Sequence, residues 1–145
     1  MTTIFFDMDG TIADLYGVEN WLDCLNNEYT KPYRMAKALV SMRELGKELN
    51  RLQENGYAIG VISWLSKSGT ESYNARVTET KLAWLRKHLG AVQFDEIHIV
   101  KYGTPKENYC KTENDVLFDD EKKNRENWTG KAYDVNNILE ILRTF

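Results

Sequence analysis

The chain has 145 residues, with 19 basic and 22 acidic side chains. That length suits one domain with its own core, and the slightly acidic balance argues against a nucleic-acid binder working by bulk charge. Two distant cysteines, Cys24 and Cys110, exclude a Cys-x-x-Cys zinc site and a disulfide framework.

The first element is an apolar strand, Ile4 to Phe6, which runs directly into Asp7-Met8-Asp9-Gly10-Thr11. A short apolar run of this kind fits a buried central strand of an open sheet, whose carboxyl end is where such sheets build ligand sites. Two carboxylates at that end are costly unless a cation neutralises them. Val18, Trp21, Leu22 and Leu25 then fall at helical spacing, and Asn26 to Pro32 reads as a loop. Tyr16, Trp21, Tyr29 and Tyr33 fit either a substrate mouth or ordinary packing. Met35, Leu39, Met42, Leu45, Leu49 and Leu52 make one stripe and predict a helix over Met35 to Glu54, ended by Asn55-Gly56.

Tyr57 to Ser63 is the second predicted strand and ends in a hydroxyl. A polar loop follows, in which Trp64 serves either specificity or packing. A helix is expected over Asn74 to Leu89, with Leu82, Leu85 and Leu89 on one side and Gly90 as its stop. Phe94 to Val100 is the third strand, on which His98 alternates with Ile97 and Ile99. Thr104-Pro105 then predicts an N-cap and first helical residue, placing Lys106 in the first turn.

Val116-Leu117-Phe118-Asp119-Asp120 repeats the opening theme of an apolar strand closed by two carboxylates. Adjacent acids at a strand end repel one another, and a cation is again the natural partner. A helix from Glu121 to Gly130, a strand over Lys131 to Val135, and a terminal helix over Ile138 to Arg143, capped by Asn136 or Asn137, complete the chain. Strands alternating with helices predict an α/β fold: a three-layer, Rossmann-like open parallel sheet with helices on both faces.

Asp7-x-Asp9-Gly10-Thr11 resembles the first motif of haloacid dehalogenase (HAD) superfamily phosphatases. Ser63, Lys106 and the Asp119-Asp120 pair with Asn124 stand in the order of the remaining motifs, so the resemblance spans nearly the whole chain. That order differs from the response-regulator receiver, where the phosphorylated aspartate closes the third strand and the lysine closes the last. The HAD resemblance implies Asp7 as nucleophile and Asp9 as general acid/base. It implies Ser63 and Lys106 as phosphate-binding groups, with Lys101 the alternative lysine. It implies Mg²⁺ held by Asp7, the Asp9 carbonyl and Asp119, with Asp120 supporting directly or through water.

The implied activity is phosphomonoester hydrolysis through an aspartyl-phosphate. Little chain is left for a cap, so a single HAD-like domain over 1–145 without a separate cap domain is expected. A weaker similarity to 5′(3′)-deoxyribonucleotidases makes a nucleotide the first substrate expectation. A nucleic-acid 3′-phosphate end or a phosphoprotein is the alternative, and a non-catalytic phosphate-binding or regulatory protein is the alternative of another class. No apolar run is long enough to cross a bilayer and no signal peptide is evident, so a cytoplasmic location is expected.

Overall fold

The central strand β1, Thr3–Phe6, is buried along its whole length. In the computed structural model, which describes residues 1–145, the chain continues through β2 (Ala13–Asp14), α1 (Trp21–Asn26), α2 (Lys31–Met35), β3 (Lys37–Ala38) and α3 (Met42–Glu54). Next come β4 (Ala58–Trp64), α4 (Glu71–His88), β5 (Glu96–Val100) and β6 (Val116–Phe118). The chain closes with α5 (Lys122–Asn127), β7 (Lys131–Tyr133) and α6 (Ile138–Leu142). Five strands form one sheet in the order β5-β4-β1-β6-β7, and every pairing is parallel. The chain builds outward through β4 and β5 on one side of β1, then returns through β6 and β7 on the other. The crevice for a ligand therefore opens at the carboxyl ends of β1, β4 and β6.

Side chains alternate between the two faces, as the strand period requires. Ile4, Phe6, Ile59, Val61, Val116 and Phe118 join the larger core with Leu45, Leu49 and Leu52 of α3, Trp84 and Leu85 of α4, and Ile138 and Leu142 of α6. Phe5, Ile62 and Leu117 face the other way and pack with Trp128. A third cluster of Leu15, Tyr33, Tyr73 and Val77 seats the segment after β1 against α4.

The helix expected over Met35 to Glu54 is shorter, because α3 starts at Met42. Ser41 caps it, accepting from the Glu44 N–H. Met35 and Leu39 continue the apolar stripe by spacing but are exposed. Met35 closes α2, and the chain after it is extended: β3 pairs antiparallel with β2, and the Leu39 N–H donates to the Ile12 carbonyl. Lys31-Pro32, expected as a breaker, instead opens α2, where a proline early in the first turn sacrifices no helical bond. The last turn before α6 is a 3-10 turn over Val135–Asn137, capped by Asp134 rather than by an asparagine side chain.

Asp115 ties the sheet together from beneath. It is fully buried and accepts from the backbone N–H groups of Thr3, Lys111 and Thr112 and from the Thr112 hydroxyl. Burial pushes its carboxyl up, but these four donors outweigh it and hold the group below the ordinary range. A depressed carboxylate contributes stability above its unfolded pKa, and that stability is lost as pH falls through the folded value. Asp115→Ala is expected to cost about 2–3 kcal/mol at pH 7 by chemical denaturation, with the deficit shrinking in acid. An undiminished deficit in acid would assign the loss to packing instead.

Candidate active site

The first aspartate pair is placed by the backbone. The Asp7 N–H donates to the Phe118 carbonyl, which sets Asp7 just past the end of β1 beside Asp119 just past the end of β6. A tight loop follows, in which the N–H groups of Thr11, Ile12 and Ala13 all donate to the Met8 carbonyl. Gly10 sits at φ +83°, and a Cβ there would lie 2.3 Å from Asp120 Oδ2. Glycine is needed at this position for both reasons.

Lys106 lies at the floor, 2 % exposed. Its ammonium donates to Asp7 Oδ1 at 2.8 Å and Asp119 Oδ2 at 2.7 Å. Burial pulls its pKa down, but the Asp7 and Asp119 carboxylates outweigh burial and raise it to about 12. The expected N-cap at Thr104 is not formed. Pro105 precedes a 3-10 turn over Lys106–Tyr109, and the Thr104 hydroxyl donates to the Lys101 carbonyl. Lys101 is exposed and lies outside the cleft lining.

Thr11 couples the two acid pairs. Its hydroxyl donates to Asp7 Oδ2 at 2.9 Å and accepts from the Asp120 N–H at 3.2 Å. Asp119 also accepts from the Glu121 N–H and from Asn124 Nδ2. Carboxylate oxygens of Asp7, Asp119 and Asp120 all lie within 4.8 Å of one another. The Asp9 carboxylate stands apart from that group. It lines the cleft and accepts from Lys81 Nζ at 2.8 Å.

The donor set fits a hard divalent cation. Three oxygen-bearing side chains converge, and Lys106 meets only Asp7 and Asp119. Burial, then the Asp7 charge, push the Asp119 carboxyl up to about 6. The same two causes push Asp120 up to about 8. Each raised carboxyl binds a proton in the folded state that the unfolded chain has already released, so these groups erode stability as pH rises. The unfolded reference is near 3.8, and the folded values are about 6 and about 8. In chelator-treated protein the melting temperature is therefore expected to fall from about pH 5 to about pH 8, and Mg²⁺ is expected to remove most of that fall. A Mg²⁺ effect that is flat across this range would count against a cation among these three carboxylates.

The cleft above has a volume of about 500 Å³. Its walls include Tyr16, Trp21, Tyr33, Trp64 and Tyr102. Tyr33 is buried and serves packing as well, whereas Tyr29 lies outside the lining. Tyr16 stacks edge-on against Trp21. Trp64 is fixed by its indole N–H donating to the Thr104 carbonyl, and Lys106 lies over its ring.

Ser63, at the end of β4, has no exposed surface and does not line the cleft. Its hydroxyl accepts from Lys81 Nζ at 2.7 Å. Lys81 was not singled out by sequence reasoning, which placed Leu82 on the apolar side of this helix. The structure buries Lys81 with Val77, Trp84 and Leu85 and leaves Leu82 half-buried. The available signal was a lysine four residues from Val77 and four from Leu85, in the middle of an apolar stripe.

No family model matches the chain, and no curated protein does. Solved structures do share its fold. One is the crystal structure of a D,D-heptose 1,7-bisphosphate phosphatase from Burkholderia thailandensis. It has a TM-score of 0.61 at 11% identity, covering 100% of this chain and 98% of that one. Another is a D,D-heptose 1,7-bisphosphate phosphatase from B. bronchiseptica complexed with magnesium and phosphate. It has a TM-score of 0.55 at 11% identity, covering 91% and 78%. The α/β architecture expected from the alternation of strands and helices is thus the architecture found, and these structures share it. No helix is long and apolar enough to cross a membrane.

Proposed function

We propose that the chain is a Mg²⁺-dependent phosphomonoester hydrolase working through an aspartyl-phosphate on Asp7. The observation that carries this reading is the convergence of Asp7, Asp119 and Asp120 above Lys106, in a cleft that Asp9 also lines. The fold shared with two phosphatases, one complexed with magnesium and phosphate, supports it.

Asp7, Asp119 and Asp120 would hold the cation, with the Asp9 carbonyl as a further donor. When bound, Mg²⁺ supplies the positive charge that lets an anionic phosphate approach an anionic nucleophile. Asp7 attacks phosphorus in line, the bond to the leaving oxygen breaks, and the phosphoryl group rests on the Asp7 carboxylate. Asp9 donates a proton to the leaving oxygen and then accepts one from the hydrolytic water. Burial raises the Asp9 carboxyl against the opposing pull of Lys81, which favours a proton there. Lys106 holds Asp7 in place and offsets negative charge on the phosphoryl oxygens. Ser63 acts from behind the cleft lining, its hydroxyl bonded to Lys81.

The substrate is a phosphorylated small molecule, and the aromatic walls favour one carrying a flat apolar group, a nucleotide first. The chain acts as one unit without a separate cap, the α1–α2 segment serving as the cover. The deciding experiment incubates purified protein with Mg²⁺ and a panel of nucleoside monophosphates, sugar phosphates and 3′-phosphorylated oligonucleotides. Phosphate release, lost on chelation, is expected from the nucleoside monophosphates. Release from sugar phosphates alone would move the substrate class toward that of the structural neighbours. No release from any, with Mg²⁺ still raising the melting temperature, would favour a non-catalytic phosphate-binding protein.

A further inference from the structure

Lys81 is 1 % exposed and stands on the buried face of α4, in line with Val77, Trp84 and Leu85. A methionine or leucine would fill that space without the cost of burying an ammonium. The ammonium nevertheless finds a partner for each of its three donors. These are Asp9 Oδ2 at 2.8 Å, Ser63 Oγ at 2.7 Å and the Trp64 carbonyl at 2.7 Å, and it also lies over the Tyr33 ring. Asp9 and Trp64 line the cleft and Ser63 lies buried beside Trp64, one residue earlier on β4, so none of the three is remote from the site. Asp9 has no other side-chain or backbone hydrogen-bond partner for its carboxylate.

The chemistry of the donor fixes a direction. An ammonium has no acceptor, so Ser63 must accept in that bond. Its single hydroxyl proton is then left to point elsewhere. The same ammonium holds Asp9 by one oxygen and leaves the other free. Lys81 thus sets two polar groups on separate strand ends in one orientation, and anchors both to the backbone of a residue that walls the cleft.

We infer that Lys81 is a positioning residue for the reaction, aligning the Asp9 carboxyl with the leaving oxygen and fixing the direction of the Ser63 hydroxyl. The inference rests on the phosphatase reading above. It makes the Lys81–Asp9–Ser63 triangle part of the leaving-group machinery, separate from the Lys106 cluster that serves the nucleophile.

Leaving-group dependence tests it. Protonation matters most when the leaving oxygen is a poor one, such as an alkoxide, and least for an acidic phenol. Lys81→Met is expected to lower kcat roughly 100-fold on an alkyl phosphate and less than about tenfold on p-nitrophenyl phosphate, with KM little changed. Asp9→Asn is expected to show the same pattern, and the double variant to lose no more than Asp9→Asn alone. Equal losses on both substrates, or full additivity with Asp9→Asn, would reduce Lys81 to a structural role. A wild-type protein that hydrolyses neither substrate would instead remove the phosphatase reading, and this inference with it. Should Lys81→Met fail to fold, Lys81→Gln keeps an uncharged N–H donor on a stem one atom shorter and is read by the same two-substrate ratio.

Discussion

Asp7→Asn is expected to lower phosphate release by roughly 10³-fold or more, since it removes the proposed nucleophile. The change is nearly isosteric. An amide at position 7 can still accept from Thr11, so the loop through Gly10 and Ala13 should keep its shape. What disappears is one negative charge against Lys106 and one carboxylate from the group of three. The loss should therefore fall on kcat, and Mg²⁺ should stabilise the variant less than the parent. Acid-quenched turnover should yield a phosphorylated protein for the parent and none for the variant. Activity within about tenfold of wild type would assign the nucleophile to another group or to water.

The second large effect is on stability. Lys106→Met removes the only cation between two buried carboxylates, Asp7 at 2.8 Å and Asp119 at 2.7 Å. Stripping one partner from a buried pair typically costs about 3–5 kcal/mol. In a chain of this size the melting temperature should drop by roughly 10 °C. The sign with pH follows from the acids. Without Lys106 the Asp119 carboxyl is pushed up further and takes up a proton as pH falls, so the deficit should be larger at pH 8 than at pH 5. Mg²⁺ should recover part of it, because a cation among the same carboxylates replaces the missing charge. Thermal melts at both pH values, with and without Mg²⁺, check all three points. A deficit independent of pH would mean that the methylene stem, and not the ammonium, carries the contribution.

The parts of the site that were legible in the sequence share one physical signature. Asp7 and Asp119 each end an apolar run, and a carboxylate at the end of a buried strand needs a partner whatever the fold. The sheet was legible for a similar reason, since its strands are short, apolar and separated by helical spacing. Lys106 could be placed near the site from the Thr104-Pro105 turn, although the turn proved to be 3-10 and uncapped. The start of α3 was misread because Met35 and Leu39 extend its stripe, and periodicity does not register a competing backbone pairing such as β2 with β3. Lys81 went unread because its helix was assigned by its leucines. A buried lysine is visible only once the strand-end groups it serves are in place.

The spacing of Asp7 and Asp119 is a property of the sheet register, in which Phe6 lies opposite Phe118. No loop sets it. The cover is built differently: α1 contributes no buried residue, yet Trp21, Leu22, Leu25 and Asn26 face the cleft. The carboxylate cluster and the cleft wall are therefore carried by parts of the chain with unequal tolerance to mutation. Substitutions in α1 can change the cleft lining at little cost to folding, while the carboxylate cluster is held by the same contacts that keep the sheet intact. For a laboratory seeking altered preference, α1 is the place to randomise.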